Sequence, residues 1–422
     1  MLTLLITSFF SFNLVMQPAK AEVIVVPVQY STIQEAINAA TSGDTIQVLN
    51  GTYYESVNIN KSLILVGESP MGTIIEGHVD IFLDNVEFRG FTIRGGTGGV
   101  LGVGLFMWNS DDCTIRNNII TSCIHAWGYG MWISHSNSNT ISENLIIQNS
   151  GSGIFIDEGS SYNKIVNNTI SYNSLFGICV YDSGGAPCIG NVIISNNMDL
   201  NAWGCIEAAS CSEGTEIIGN KIANSKYGID FFSCHIHGSY HCEATITDNV
   251  IANCKYGVSI TSAYSNNIID NTVMNCTYGI SIHYLTENNT VYHNNFINNV
   301  QQVNQTGTNT VWDGGYPSGG NYWSDYNGTD SDGDGIGDTP YVIDEYNRDN
   351  YPLMYPQPFI MGDVNCDAEV DIYDVTAVCI AYDSQPGDPN WYPPADIAEP
   401  YGIIDIYDVT AVCISYGKKW PN

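Results

Sequence analysis

The chain has 422 residues, with 44 Asp and Glu against 12 Lys and Arg, a net charge of −32. That balance excludes a nucleic-acid partner, because phosphate binding requires Lys and Arg, and it disfavours anionic membrane surfaces. Only 13% of residues are charged while Asn supplies 44 and Gly 41, so the surface is polar without being ionic. The length exceeds one ordinary core and predicts several domains or a repeat solenoid.

The N-terminal stretch LTLLITSFFSFNLVM is apolar, too short to span a bilayer comfortably, and followed by Ala19-Lys20-Ala21. It predicts an export signal over residues 1–21, although no Lys or Arg precedes the apolar run. No later segment reaches 18 consecutive apolar residues, so no membrane insertion is expected after cleavage. The mature chain is therefore expected to be secreted or held at the cell surface. N-x-S/T sequons at Asn50, Asn60, Asn167, Asn275, Asn288, Asn304 and Asn327 fit an exported chain.

Ser31 to Ala40 reads as a short helix with a capping-box start, placed to cover an open first coil. From residue 117 a repeat appears. Aligning NNII, ENLI, NNTI, NNMD, GNKI, DNVI, DNTV and HNNF on their second letter gives Asn118, Asn144, Asn168, Asn197, Asn220, Asn249, Asn271 and Asn294, spaced 22 to 29 residues apart. Most are followed by a Gly that opens an alternating run (GMWI, GIFI, GICV, GCIE, GIDF, GVSI, GISI), which means a strand with one buried face. Such units cannot bury their apolar face alone and stack at about 4.8 Å per coil. The Asn column then becomes an internal ladder, with Asn tolerating the left-handed backbone at a corner. Five residues on, Cys123, Asn149, Asn173, Ala202, Ser225, Cys254, Cys276 and Asn299 form a second column. Cys254 and Cys276 are placed to stack or to bond, and Cys234 and Cys242 bracket a loop; these are the expected disulfide pairs in an exported chain.

The opening YSTIQEAINAATSGDTIQVLNGTYYESVNINKSLILVG resembles pectin-lyase-like right-handed β-helix proteins, and the coils after it resemble the NosD-like periplasmic copper-binding repeat family. The resemblance covers about 22–355 and implies an all-β right-handed parallel β-helix over 22–311, closed by an acidic segment over 312–355. It says little about function, since the family also holds sugar-processing relatives.

From Asp325 to the C-terminus there are 19 acids and 3 bases. In DSDGDGIGD, Asp330, Asp332, Asp334 and Asp338 take positions 1, 3, 5 and 9 of a Gly-turned loop, a Ca²⁺-ligand spacing that lacks an acid at position 12. After a linker at 356–360, DIYDVTAVCI occurs twice, at 371–380 and 405–414. Before and within the first copy, Asp363, Asn365, Asp367, Glu369 (through its carbonyl), Asp371 and Asp374 hold Ca²⁺-loop positions 1, 3, 5, 7, 9 and 12. The second loop keeps Asp396, Asp405 and Asp408 but places Pro400 and Tyr401 where ligands belong. Residues 361–422 are thus expected to form a small Ca²⁺-binding domain, and over 361–417 the sequence resembles a type I dockerin. That resemblance implies two helices folded around Ca²⁺ and a cohesin-like partner. Ile372-Tyr373 and Ile406-Tyr407 replace the usual Ser-Thr of the partner-facing helices.

Chemistry on a β-helix is expected on the outward face of a strand sheet. Reading from each Gly, one outward column is Trp132, Phe155, Cys179, Ile206, Asp230, Ser259 and Ser281. The next is Ser134, Asp157, Tyr181, Ala208, Phe232, Thr261 and His283, with the register open by one residue at Ala208. Trp132, Phe155, Asp157, Tyr181 and Phe232 are the candidate glycan-binding residues, aromatic faces beside carboxylates. Glu207 and Asp230, on neighbouring coils, are the candidate catalytic pair for a lyase or glycoside hydrolase. The chain has four arginines and lacks polygalacturonase-like strings, so a plain polysaccharide-binding face is the leading expectation. A third reading places Cu²⁺ or Zn²⁺ on His235, His237 and His241.

Overall fold

The structure is a computed structural model. It describes residues 21–95, 102–124, 127–182, 186–209, 213–232, 243–283, 286–306, 309–357, 363–364, 370–385, 388–390, 392, 395, 397–398 and 403–418. The repeats wind into a right-handed parallel β-solenoid of about 11 turns, bounded by three parallel sheets of 12, 12 and 11 strands. One coil runs Thr114–Arg116 in the first sheet, Ile119–Thr121 in the second and Met131–Ser134 in the third. The alternation read from the sequence sets the inside. Ile115, Ile141, Ile165, Ile193, Ile217 and Ile246 stack coil upon coil at 0% exposure, each contributing about 1.5–3 kcal/mol by burial.

The Asn ladder is continuous. Asn144 donates from both its backbone N and its Nδ2 to Asn168 Oδ1 at 2.9 and 3.0 Å, and from Nδ2 to the Ile115 carbonyl at 2.9 Å. This pattern repeats through Asn196, Asn220, Asn249, Asn271, Asn294 and Asn321. The rung is Asn196 and not Asn197, which opens a strand on the outside. The second column is corrected with it, to Asn201 instead of Ala202. The left-handed residue also differs from expectation, since it precedes the rung. Asn117, Glu143, Asn167, Ser195, Asp248, Asp270 and His293 have φ between 52 and 58°, at roughly 1 kcal/mol or more each for a side chain other than Gly or Asn. A third ladder, Cys113, Asn139, Asn163 and Asn191, was not legible in the repeat.

Cys254 and Cys276 stack as free, buried thiols; the expected bridge between them is absent. Each sits on a ladder position and hydrogen-bonds to a carbonyl two residues upstream, at 3.4 and 3.3 Å, as a small polar rung would. Cys234 and Cys242 lie outside the described residues.

Helix α1 (Ile33–Ala39) covers the first coil, burying Ile33, Ala36 and Ile37. Its N-terminal amides at Ile33 and Gln34 donate to the Glu55 carboxylate at 2.9 Å each, and Lys61 Nζ donates to the carbonyls of Ile37, Asn38 and Ala40. Side chains from the coils thus satisfy both helix ends. At the other end Phe296, Trp323 and Tyr341 stack with centroids 4.7 and 4.4 Å apart. There the ladder closes on buried Asp349, which accepts from Asn321 N, the Trp323 indole and Tyr351 N at 2.7, 2.9 and 3.0 Å. The second sheet takes its last strand, Tyr322–Trp323, from this closing segment.

The duplicated sequence forms α2 (Ile372–Ala381) and α3 (Ile406–Ser415). Asp371 and Asp405 cap them, with Asp374 and Asp408 completing a capping box in each. Their shared core is small: Val364, Val370, Val378, Ala381, Ala395, Ile404 and Val412. Among the described residues no helix is long and apolar enough to cross a membrane.

Candidate functional site

The third sheet carries the site. Its outward column runs Asn58, Asp80, Phe106, Trp132, Phe155, Cys179, Glu207, Asp230, Ser259, Ser281 and Asn304, each residue paired with the next coil's. Ile206 and Ala208 were placed in the outward columns from sequence; both are buried in the core, and Glu207 and Ala209 take the outward places. The reason is a one-residue slip. Gly204 pairs with Phe176 and Tyr227, so Cys205 occupies the glycine column between Gly177 and Gly228. That column is tight: a Cβ at Gly153 would lie 2.6 Å from the Gly177 carbonyl oxygen and one at Gly177 2.7 Å from that of Cys205.

Aromatic rings step along this face. Centroids are 5.1 Å apart for Phe106 and Trp132, 6.0 Å for Trp132 and Phe155, and 6.5 Å for Phe155 and Tyr181. The strand-to-strand spacing sets the interval, and the loops before the strands add Trp127 and Tyr129, the latter stacked on Phe155 at 4.6 Å. Together they wall a cavity of about 530 Å³ lined by Trp127, Tyr129, Trp132, Ser152, Phe155, Asp157, Glu158, Leu175, Phe176, Cys179, Tyr181 and Glu207. Four of the five sequence-proposed glycan residues meet there; Phe232 lies further along the face, paired with Ala209 and Thr261 and 42% exposed. Trp127, Tyr129 and Phe176 were missed, because they precede the alternating runs and only the coil-to-coil stacking brings them over the sheet.

Polar groups fix the rings. Asp157, 1% exposed, accepts the Trp132 indole N–H at 2.8 Å. Glu158 accepts from Ser134 Oγ at 3.0 Å and pairs with His135 Nδ1 at 3.0 Å, and the His135 ring lies 4.6 Å from Trp108. Cys179 donates its thiol to Glu207 Oε2 at 3.0 Å. Burial, together with the Glu207 charge, pushes that thiol well above its usual range, so it is no ready nucleophile. Burial, and then the neighbouring Asp230, raise the Glu207 carboxyl. Burial pushes Asp230 up to about 6 against the lowering effects of the Ser259 hydroxyl and Lys226. Two carboxyls on adjacent strands are thus both held toward the protonated form.

Of the acidic-loop residues, Asp330, Asp332 and Asp334 bring carboxylate oxygens within 4.8 Å of one another. Asp338 instead accepts from Ser331 N and Oγ at 2.9 and 2.7 Å. In the helical unit, Asp374 accepts the backbone N–H groups of Val364 and Asp371, and Asp408 those of Ile397, Ala398 and Asp405. Asp363, Asp371 and Asp405 are described, whereas Asn365, Asp367, Glu369 and Asp396 lie outside the described residues, as do His235, His237 and His241. The described histidines are scattered. His78 joins Ser56 and Asp80, His135 joins Glu158, His283 joins Ser281 and His293 joins Asp270. The one cluster among the described residues whose ligand atoms lie close enough to hold a metal ion is all carboxylate, a donor set that suits a hard cation and not copper.

Comparison with known proteins agrees with the fold. A cell surface glycoprotein of Methanothermus fervidus is 32% identical over 163 residues, covering 36% of this chain and 26% of that protein. The probable ABC transporter binding protein NosD of Stutzerimonas stutzeri is 40% identical over 73 residues, 17% of this chain and 16% of that one. The matched stretch is thus about a quarter or less of either relative. Among solved structures, the A-module of the mannuronan C-5 epimerase AlgE6 of Azotobacter vinelandii superposes with a TM-score of 0.53 at 14% identity, covering 66% of this chain and 91% of that module. The likeness is one of fold. The model of the family described as periplasmic copper-binding protein (NosD) matches residues 37–231 and 212–328. With most of the solenoid inside those two matches, the chain belongs to the NosD family.

Proposed function

We propose that this protein acts outside the cytoplasm as a glycan-binding β-helix, with the aromatic cavity of the third sheet as its binding site. The observation that carries this reading is the row Trp132, Phe155 and Tyr181 on one face, its lead ring oriented by the buried Asp157 carboxylate. Flat rings offer apolar contact to sugar faces, and flanking carboxylates accept sugar hydroxyls. A glycan array of the full chain against Trp132→Ala tests it: binding that is lost in the variant supports the reading, and no binding by the wild type overturns it.

The Glu207 and Asp230 pair favours a second reading, a glycoside hydrolase. Adjacent strands lie about 4.8 Å apart, close to the roughly 5–5.5 Å between carboxyls of a retaining enzyme. One carboxyl, held protonated by burial, would donate to the leaving oxygen while the other attacks the anomeric carbon. Reducing-end release from a polysaccharide panel tests it, and activity that survives both Glu207→Gln and Asp230→Asn sinks this site.

The helical unit is proposed to be a Ca²⁺-dependent dockerin-like module that tethers the solenoid to a cohesin-like partner. Asp363, Asp371 and Asp374, with the rest of their loop, would supply oxygen ligands, and Asp405 and Asp408 those of the second loop. The Asp330, Asp332 and Asp334 cluster is a further proposed Ca²⁺ site. Exposed Ile372, Tyr373, Ile406 and Tyr407 supply an apolar docking face on both helices. Calorimetry with Ca²⁺ on the chelated chain decides, and an absence of both heat and helical signal change rejects the module. The described donor set does not fit the copper named in the family's description.

A further inference from the structure

The cavity's lining is unusual in charge as well as in shape. Among the described residues, three carboxylates, Asp157, Glu158 and Glu207, share it with six aromatic rings, and neither Lys nor Arg lines it. Asp157 and Glu158 are engaged by Trp132, Ser134 and His135, while Glu207 is half-buried beside Asp230, and among the described residues only a neutral thiol donates to its Oε2. A uronate entering this space would meet like charge. A neutral sugar would bring Glu207, which burial holds toward the protonated form, no countercharge to favour its ionised state.

The same face already displays the chemistry that answers both deficits. One to three coils further on, the chain covers its own rings with ammonium groups: Lys226 Nζ lies 4.9 Å from the Trp203 ring and 4.8 Å from that of Tyr227, and Lys255 Nζ 5.0 Å from that of Tyr256. Among the described residues no ammonium covers the rings of the cavity itself. Aromatic faces attract cations through their quadrupole, more strongly where water is excluded, and a carboxylate adds a charge-assisted hydrogen bond.

We propose that the ligand of this cavity is an amino sugar bearing a free, protonated amine, as in a de-N-acetylated hexosamine oligosaccharide. The ammonium sits against Glu207 within the aromatic wall, and the sugar ring stacks on Trp132 and Phe155. This rests on the glycan reading above and narrows it to a cationic substrate class. The overall negative charge of the chain draws such a polymer in and repels polyuronates.

The test is calorimetric titration of the full chain with glucosamine oligomers, N-acetylglucosamine oligomers of equal length, and choline. The expected result is roughly tenfold tighter binding of the free-amine oligomer than of its N-acetylated counterpart, with the gap shrinking in high salt and in Glu207→Gln. Trp127→Ala, at an exposed loop position that does not threaten folding, is expected to weaken the free-amine oligomer as well. Equal binding of the two oligomers, or tighter binding of the N-acetylated one, overturns the proposal and leaves the glycan reading standing. Binding of choline with no sugar binding overturns the glycan reading while the selectivity for a cation survives. Binding of none of the three overturns the amino-sugar proposal, while the glycan array decides the glycan reading.

Discussion

The solenoid and the helical pair are stabilised in opposite ways. In the solenoid each coil's apolar residues and amide rungs meet equivalent groups above and below, so buried isoleucines and bonded asparagines accumulate with length. Among the described residues the helical pair has a core of seven small or branched side chains, while Ile372, Tyr373, Ile380, Ile406, Tyr407 and Ile414 are 55–77% exposed. A core that small seldom stabilises a domain unaided. The comparison teaches that the solenoid's stability grows with every coil, whereas the helical pair has little core of its own, which is where the proposed cation or partner would act.

Removing Ca²⁺ is the strongest way to break that contrast. Chelation of the full chain is expected to melt α2 and α3 completely while the β signal in circular dichroism stays unchanged; retention of the helical signal would place the pair's stability in its core. A rung substitution probes the solenoid instead. Asn168→Ala leaves the buried Asn144 N and Nδ2 donors without their shared acceptor, a loss of about 3 kcal/mol, read as a lower denaturation midpoint with the helices unaffected.

Acid separates the regions again. Burial holds Asp349 at about 6 and Asp230 at about 6 in the folded solenoid, above the ordinary 3.8. Because the folded value is the higher one, their contribution is fully present below pH 3.8 and is lost as pH rises through about 6, on the order of 3 kcal/mol each. The solenoid's melting temperature is expected to fall between pH 4 and 7, and Asp349→Asn to flatten that slope. A melting temperature that rises across the window would refute the assignment. The smallest effect on stability is expected from Ile372→Ser with Ile406→Ser, both exposed on the helical pair, within about 0.5 kcal/mol. Any partner capture through those helices should nevertheless be lost.

Much of this was legible before any coordinates. Coil length, the Asn rungs, the cap helix and the duplicated helices follow from local alternation and spacing. That Glu207 and Asp230 lie on neighbouring coils was legible from the repeat spacing, but their place in one outward column was not, because the repeat set Ile206 opposite Asp230. The third ladder was hidden, because it opens on a cysteine and its rungs lie at uneven spacing between the strands. The closure of the first ladder on Asp349 was hidden too, since 28 residues separate it from Asn321 without a repeat to mark it.

The sequence alone determined which residues form a coil, since a period-two pattern bounded by Asn and Gly leaves a strand few alternatives. Register between coils was decided only in three dimensions. At Gly204 and Cys205 two alignments are equally readable, and a slip of one residue exchanges core for surface along the whole strand. Packing chose the alignment that buries Ile206 and Ala208, and by that choice turned Glu207 into the cavity. The cavity itself is likewise tertiary: Trp127 and Tyr129 come from one coil, Phe155 from the next and Phe176 and Tyr181 from the one after, and only stacking at strand spacing makes one wall of them.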